Sequence, residues 1–452
     1  MTFFLPFSHS QLLELASYFA AYNGTVLLYS GGDYDSAERS FLFLFPIETV
    51  SASGPAAWEK LREKITLGSG YFPEWVGYLG YGMGAWSDRS KTITMVPSTL
   101  PDALFMRHAC AIVIDHRAHT IRVKTVSQSD RLLSAEELAW LSRLSEETFF
   151  RNIPDSIDRT NCEREESTKK HPLEEIEPSV SYEKKIAVVQ KMIREGEFYQ
   201  LNLSHEISYT ESIDPYLLFK KLALLNPAPF MAYLNCGEYT VVSSSPERFV
   251  SCRNGLLETR PIKGTIPRGK TAKTDEKNRC LLLSSEKERA ELMMITDLMR
   301  NDLGKVSLLG SVDVPSLCRL EAYQNVYHLS SVVTAKAKCN IHPIDILRNL
   351  FPAGSVTGCP KLRAMEVIAQ LEQRPRNIYT GSIGYISNNG DIDFNVAIRT
   401  LTCVKNKIDF AVGGAITYDS NPQQEYLETL HKAKTILQAL KKEKEYERMA
   451  LS

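Results

Sequence analysis

Lys263 lies in the run ETRPIKGTIPRG, with Arg260 and Arg268 on either side. A primary amine attacks carbon only when neutral, and at a reference pKa near ~10.4 it is seldom neutral at pH 7. Desolvation or a nearby cation that lowered that value towards ~7 to 8 would make Lys263 a nucleophile; a solvated loop would leave it an ordinary basic side chain. Sixteen residues earlier, Glu247 sits in SSSPERF. It can give up a proton at neutral pH only if burial raises its pKa well above the reference of ~4.3; the alternative is an ion pair with Arg248. Glu288 and Glu291 are spaced one helical turn apart, and so are Glu425 and Glu428, with Lys432 continuing the second face. One glutamate on a helix is ordinarily solvated surface. Two such pairs facing each other in apolar surroundings would be costly without a cation. The glycine turn of GSVTGCPK, opening a helix, has the character of an anion nest. It is not a Walker A loop, because Lys361 follows proline and no Ser or Thr succeeds it.

The elements that must carry these side chains follow from periodicity. Ile186, Val189 and Ile193 recur at helical spacing after Ser181, a suitable cap, and Gly196 suits the stop. Ser285 and Glu288 form a capping-box pattern ahead of a stripe of Leu292, Ile295, Leu298 and Met299. Pro360 fits the first position of a helix with Met365, Ile368 and Leu371 on one face, and Asn421-Pro422 open the last helix. There Glu425, Glu428 and Lys432 stand opposite Leu430 and Leu437. TVVSSS, FVSC, GSIGYIS, VAIRTLTC and IDFAVGG read as strands, as do TVLLYS, FLFLF, YLGYG and ACAIVIDH nearer the start, where LLELASYFAAY is helical. The polar, proline-punctuated stretch 151–180 reads as a connection between an N-terminal region, 1–150, and a C-terminal region, 181–445, that holds the chemistry.

Four segments, SSSPERF, ETRPIKGTIPRG, GSVTGCPK and EYLETLHKAK, together with AELMMITDLMRNDLG and GSIGYIS, resemble in order the chorismate-utilising family, the anthranilate synthase component I group. The likeness covers roughly 180–440. It implies an α+β fold in which two large antiparallel sheets pack face to face with helices around them. It also implies a Mg²⁺ cofactor held by Glu291 and Glu428, with Glu288 and Glu425 holding coordinated waters. Such a site suits Mg²⁺, which takes one or two carboxylates and keeps several waters. In the P-I-x-G-T motif this chain has lysine, which in the family goes with amination at C4: Lys263 attacks C2 of chorismate as the C4 hydroxyl leaves, and ammonia then enters at C4. Alanine at that position goes with anthranilate formation, the enzymatic alternative. The resemblance gives Glu247 the role of general acid and sets His328 and Thr357 near the ring and its C4 substituent. It assigns the substrate's carboxylates to Gly264, Thr265, Tyr379, Arg399, Lys432 and the main chain of Gly413, Gly414 and Ala415. Arg399 can bind a carboxylate through two parallel N–H bonds. Relatives often have glycine where this chain has Ala415, and alanine where it has Cys359. Gln200 occupies the place of a water-activating lysine in isochorismate and salicylate synthases, which removes that branch, since an amide is no base.

The remaining features narrow partners and place. With 452 residues, 43% hydrophobic, 24% charged and a net charge of -1, the chain carries no basic footprint for nucleic acid or a membrane surface. The longest apolar runs fall short of the ~20 residues a membrane helix needs, and MTFFLPFSHSQ lacks a secretory pattern, so cytoplasmic residence is expected. Nine scattered cysteines without a C-x-x-C pair argue against disulfides or zinc, and most are expected as core thiols. The sequence has no G-x-C-x-G turn of a glutaminase, so ammonia is expected from a separate glutamine amidotransferase subunit. A reading of another class is a silent tryptophan-binding or scaffold subunit, because Ser30, Arg39, Ser40 and Phe41 loosely resemble a family tryptophan site.

Overall fold

The strands Arg39–Ala52 and Ala103–Asp115 are antiparallel partners end to end, from Arg39 opposite Asp115 to Ala52 opposite Ala103. Their side chains alternate between two cores. Phe41 and Phe43 join Val76, Met106, Val113, Leu234 and Ile383 in a cluster drawn mainly from strands. Leu42 and Leu44 face Leu12, Leu15, Phe219, Leu222 and Leu437, which come from three helices. The first cluster is sheet on sheet and the second helix on sheet, which explains why these strands are apolar on both faces. The computed structural model describes residues 1–452 apart from 33–35, 37, 69–70, 126–132, 156–172, 324–325 and 441–452.

Ala103–Asp115 is the junction of the fold. From its partner Arg39–Ala52, pairing runs through Val26–Tyr29, Phe230–Asn235, Thr240–Ser245, Thr400–Val404 and Lys407–Ile416 to Gln200–Thr210. On its other edge, pairing runs through Pro73–Leu79, Ser382–Ser387, Ile392–Asn395, Arg248–Arg253 and Leu256–Arg260 to Val326–Lys336. That last strand also carries Ile262–Pro267 and Asp313–Ala322. The α+β class with large antiparallel sheets is therefore what the chain forms, and among the described residues the sheets join in one hydrogen-bonded network of 20 strands.

Several local expectations need correction. Strands before residue 150 pair with strands of the C-terminal region: Val26–Tyr29 with Phe230–Asn235, and Pro73–Leu79 with Ser382–Ser387. Of the stretch 151–180, residues 156–172 lie outside the described residues, as do Cys162 and residues 441–445; its C-terminal end forms strand Leu173–Ile176 and enters helix Ser179–Arg194. That helix is capped by Pro178, not Ser181, whose hydroxyl donates to Glu177 at 2.7 Å. Gly196 ends it at a φ of 82°. Pro360 stands one residue before its helix, Lys361–Glu372. VAIRTLTC is strand only over Thr400–Val404, because Arg399 takes a left-handed φ of 51° that interrupts the extended backbone. Cys110, Cys252 and Cys403 are core thiols, but Cys280 and Cys339 are exposed and the remaining described cysteines are half-buried.

The junction generates a stability test. A Cβ on Gly77 would sit 1.9 Å from the Leu104 carbonyl oxygen, so Gly77→Ala should lower urea stability by about 1–3 kcal/mol through forced backbone displacement. Gly304, inside helix Glu286–Val306 with open space around it, is the opposite case. Gly304→Ala should raise stability by about 0.5–1 kcal/mol.

Candidate active site

Glu247 stands at the turn between strands Thr240–Ser245 and Arg248–Arg253. Its N–H donates to Ser245 Oγ at 3.2 Å and its carbonyl accepts the Val396 N–H at 2.9 Å, which pins the turn. The side chain is buried, and the expected rival, an ion pair with Arg248, is absent. Arg248 instead forks onto both oxygens of Asp393 at 3.0 Å and reaches Glu258 at 2.7 Å. Burial pushes the Glu247 carboxyl up to about 7, against the lowering effects of a Ser355 hydrogen bond, the Lys263 charge and the Ile262 N–H.

Lys263 lies on strand Ile262–Pro267, opposite Leu329. The register slips at Gly264, so that Thr265 is the next residue in register, opposite His328. Gly264 has a φ of 70°, which favours glycine, and a Cβ there would lie 3.1 Å from Glu288 Oε2, a tight contact. The Lys263 ammonium donates to the Ser355 carbonyl at 3.2 Å. Ser355 thus touches both Lys263 and Glu247, a link invisible in sequence although it lies within GSVTGCPK. His328 is buried, with Nδ1 2.8 Å from Thr265 Oγ1 and no partner for Nε2 among the described residues. Burial, then the Arg399 charge, push it down to about 3, so the ring is neutral at pH 7. Thr357 is buried and donates to the Ala353 carbonyl at 2.7 Å. Lys361 is a structural tie: it donates to Asp302 at 2.6 Å and to the Leu350 carbonyl at 2.7 Å.

The two acidic pairs come from helices Glu286–Val306 and Pro422–Ala439. Ser285 caps the first by accepting the Glu288 N–H at 3.4 Å, but the reciprocal half of the capping box is missing because the Glu288 carboxylate turns towards Gly264. Asn421 caps the second through the Gln424 N–H at 3.0 Å. Glu291 and Glu425 are buried, and one ammonium, Lys287 Nζ, lies 3.9 Å from the former and 3.4 Å from the latter. The helices therefore bring their carboxylates to one place although 134 positions separate these two residues. Burial first, and repulsion from neighbouring acids, hold the carboxyls of Glu288 and Glu291 above the usual range. Glu428 is pulled below it by Lys432, which is 2.8 Å away and also donates to the Gly413 carbonyl at 2.9 Å.

Gly414 faces this cluster, since a Cβ there would lie 3.4 Å from Glu425 Oε2. Strand alternation turns the Ala415 methyl to the opposite face, so it does not crowd the acids. Tyr379 is buried, its phenol pushed up to about 12 by desolvation, and it neighbours the Arg376 guanidinium at 5.9 Å. Ser30, Arg39 and Phe41 line a separate pocket that shares no residue with the acidic cluster. Ser40 lies beneath that pocket, its hydroxyl accepting the Ser30 N–H at 3.0 Å and lying 2.7 Å from His116 Nε2.

The family model described as chorismate binding enzyme matches residues 30–438. The chain is 38% identical over 369 residues to aminodeoxychorismate synthase component 1 of Escherichia coli K12, covering 81% of this chain and 77% of that protein. It is 34% identical to anthranilate synthase component 1 of Acetivibrio thermocellus, over 81% and 74% of the two chains. The crystal structure of anthranilate synthase component I from Streptococcus pneumoniae TIGR4 superposes with a TM-score of 0.74 at 29% identity, covering 90% of this chain and 93% of that one. With the matched region running through the carboxyl–amine centre, the acidic helices and the sheets that carry them, the chain belongs to the chorismate-binding enzyme family.

Proposed function

We propose that this enzyme aminates chorismate at C4, yielding 4-amino-4-deoxychorismate for 4-aminobenzoate and folate synthesis. Identities of 38% and 34% to the two kinds of relative do not by themselves separate C4 amination from anthranilate formation. The observation that carries the reading is Lys263, set beside a buried carboxyl that holds a proton near neutrality.

Neutral Lys263 Nζ attacks C2 of chorismate, the ring double bond shifts, and the C4–O bond breaks as Glu247 supplies the proton that lets the hydroxyl leave as water. Ammonia then bonds to C4, the double bond shifts back, and the C2–Nζ bond breaks to return the lysine. His328, neutral and with Nε2 unpartnered among the described residues, offers a ring nitrogen to the substrate. Arg399, Lys432, Tyr379 and the Gly264-Thr265 turn supply donors for its carboxylates.

The acidic helices suit a hard divalent cation. A lysine ammonium already spans them, and two of their carboxyls are held above the usual range by burial and mutual repulsion. Glu291 and Glu428 would hold Mg²⁺, with Glu288 and Glu425 on its waters; when bound, it supplies positive charge to the substrate carboxylate at C1. Among the described residues no group of three His, Cys, Asp or Glu side chains is placed to hold a metal, so the proposed site rests on Glu291 and Glu428 alone. Ammonia would come from a glutamine amidotransferase partner. No described helix is long and apolar enough to cross a membrane.

Purified protein with Mg²⁺, chorismate and ammonium salt, without glutamine, should release 4-amino-4-deoxychorismate by chromatography. Lys263→Ala should lose at least about a hundredfold in turnover, the scale of a lost nucleophile or general acid, while still binding chorismate. Anthranilate and pyruvate as main products would give the reaction to the alternative, and a folded wild-type protein with no turnover would favour a silent subunit.

The pH profile follows from Glu247. The folded protein keeps this carboxyl protonated up to about 7, so kcat/KM should fall as pH rises through about 7. The same shift makes the Glu247 contribution to stability complete below the ordinary carboxyl range and lost as pH climbs to about 7. A pH–rate limb that stayed in place in Glu247→Asp and fell at the ordinary carboxyl range would remove Glu247 as the acid.

A further inference from the structure

Three lysines approach the four carboxylates of the acidic cleft, and two of them are committed. Lys263 donates to the Ser355 carbonyl, and Lys432 holds Glu428 at 2.8 Å while donating to the Gly413 carbonyl. Lys287 is different. It comes from the same helix as Glu291, one turn earlier, yet its ammonium reaches across to Glu425. Its contacts, 3.9 Å and 3.4 Å, are longer than that of Lys432, and its side chain is 48% exposed, so its stem can swing into water. Glu425 has a second fixed donor in the Ser420 hydroxyl at 2.7 Å, which keeps it aimed into the cleft without the lysine.

We propose that Lys287 is a built-in counter-ion: a positioning residue whose ammonium holds the two acidic helices together before a divalent cation arrives and withdraws when it binds. This rests on the reading of the acidic pairs as a Mg²⁺ site. The chain without metal then avoids four carboxylates balanced by only two ammonium groups, and the cation must outcompete a tethered charge. Metal affinity is thereby set lower than the carboxylates alone would give.

The test is metal binding in the absence of substrate. Wild type, Lys287→Met, Lys287→Gln and Lys287→Arg would be titrated with Mg²⁺ by calorimetry and with Mn²⁺ by electron paramagnetic resonance at low ionic strength. Removing a positive charge close to the ion should tighten binding by about fivefold or more in the Met and Gln variants, with the difference shrinking as salt is added. Lys287→Arg should stay within about twofold of wild type, because its charge remains. Saturating Mg²⁺ should also raise the Tm of the Met variant more than that of wild type, since its metal-free cleft is the more repulsive. Unchanged or weaker binding in both neutral variants, or failure of both to fold even with Mg²⁺, would overturn the counter-ion role. Wild type that takes up neither ion would overturn the metal reading itself, a result confined to the wild-type arm and so distinct from the other.

Discussion

A single carboxyl kept out of water governs this cleft. Ionising Glu247 where it lies costs solvation that the protein only partly replaces, through one hydroxyl, one backbone N–H and the charge of Lys263. Weaker burial would leave it ionised with no proton to give; without the three opposing groups it would hold its proton too tightly. The balance near 7 depends on Ser355, whose hydroxyl meets Glu247 while its carbonyl takes a proton of Lys263. Acid and amine are thereby fixed relative to each other through one residue of a short 3₁₀ turn, Gly354–Val356.

That turn is held from below by a buried ion pair. Arg376 forks onto Glu372 at 2.7 and 2.9 Å, and both side chains are almost wholly removed from solvent. The guanidinium also donates to the carbonyls of Val356 and Asn202 and to Thr380 Oγ1, and it stacks over Tyr81 at 4.7 Å. Glu372 accepts the N–H and hydroxyl of Ser204, each at 2.8 Å. A buried pair of this kind is justified by its complete hydrogen bonding more than by its Coulomb attraction. Its consequence is positional: Val356 and Asn202 are tied to one rigid plane, and Asn202 N–H in turn donates to the Thr357 carbonyl at 2.8 Å. On the other side of the segment, Lys361 and Asp302 make a second buried tie to helix Glu286–Val306, which carries Glu288 and Glu291. The amine, the acid and the first acidic pair therefore share one framework.

Much of this was readable in the sequence because it is local. A capping serine or asparagine, a stripe at three and four, and a glutamate pair one turn apart each report one element's own geometry, as Ser285, Asn421 and Glu288-Glu291 illustrate. What escaped is what depends on distant partners. Strand alternation says which residues share a face but not that Val26–Tyr29 pairs with Phe230–Asn235, so the first 150 residues read as a separate region. The reach of Lys287 to Glu425 is a tertiary contact with no periodic trace, and although Arg376 and Glu372 stand four positions apart, the burial of their fork and its bonds to Asn202, Ser204 and Val356 come from elsewhere in the chain. Arg399 was drawn into a strand by its β-forming neighbours, although its own backbone is left-handed. Ser181 has the side chain of a cap, but Pro178, with its fixed φ, begins the helix earlier.

The central claim, that Lys263 is a nucleophile set against the proton of Glu247, is tested most directly by intact-protein mass spectrometry. Wild type would be incubated with Mg²⁺ and chorismate but no ammonia, quenched under denaturing conditions, and mapped by peptide. The account predicts a covalent adduct of chorismate less one water on the peptide carrying Lys263, absent from Lys263→Met and lost when ammonium is added before the quench. Unmodified protein under these conditions, from a preparation that turns over with ammonia, would contradict it.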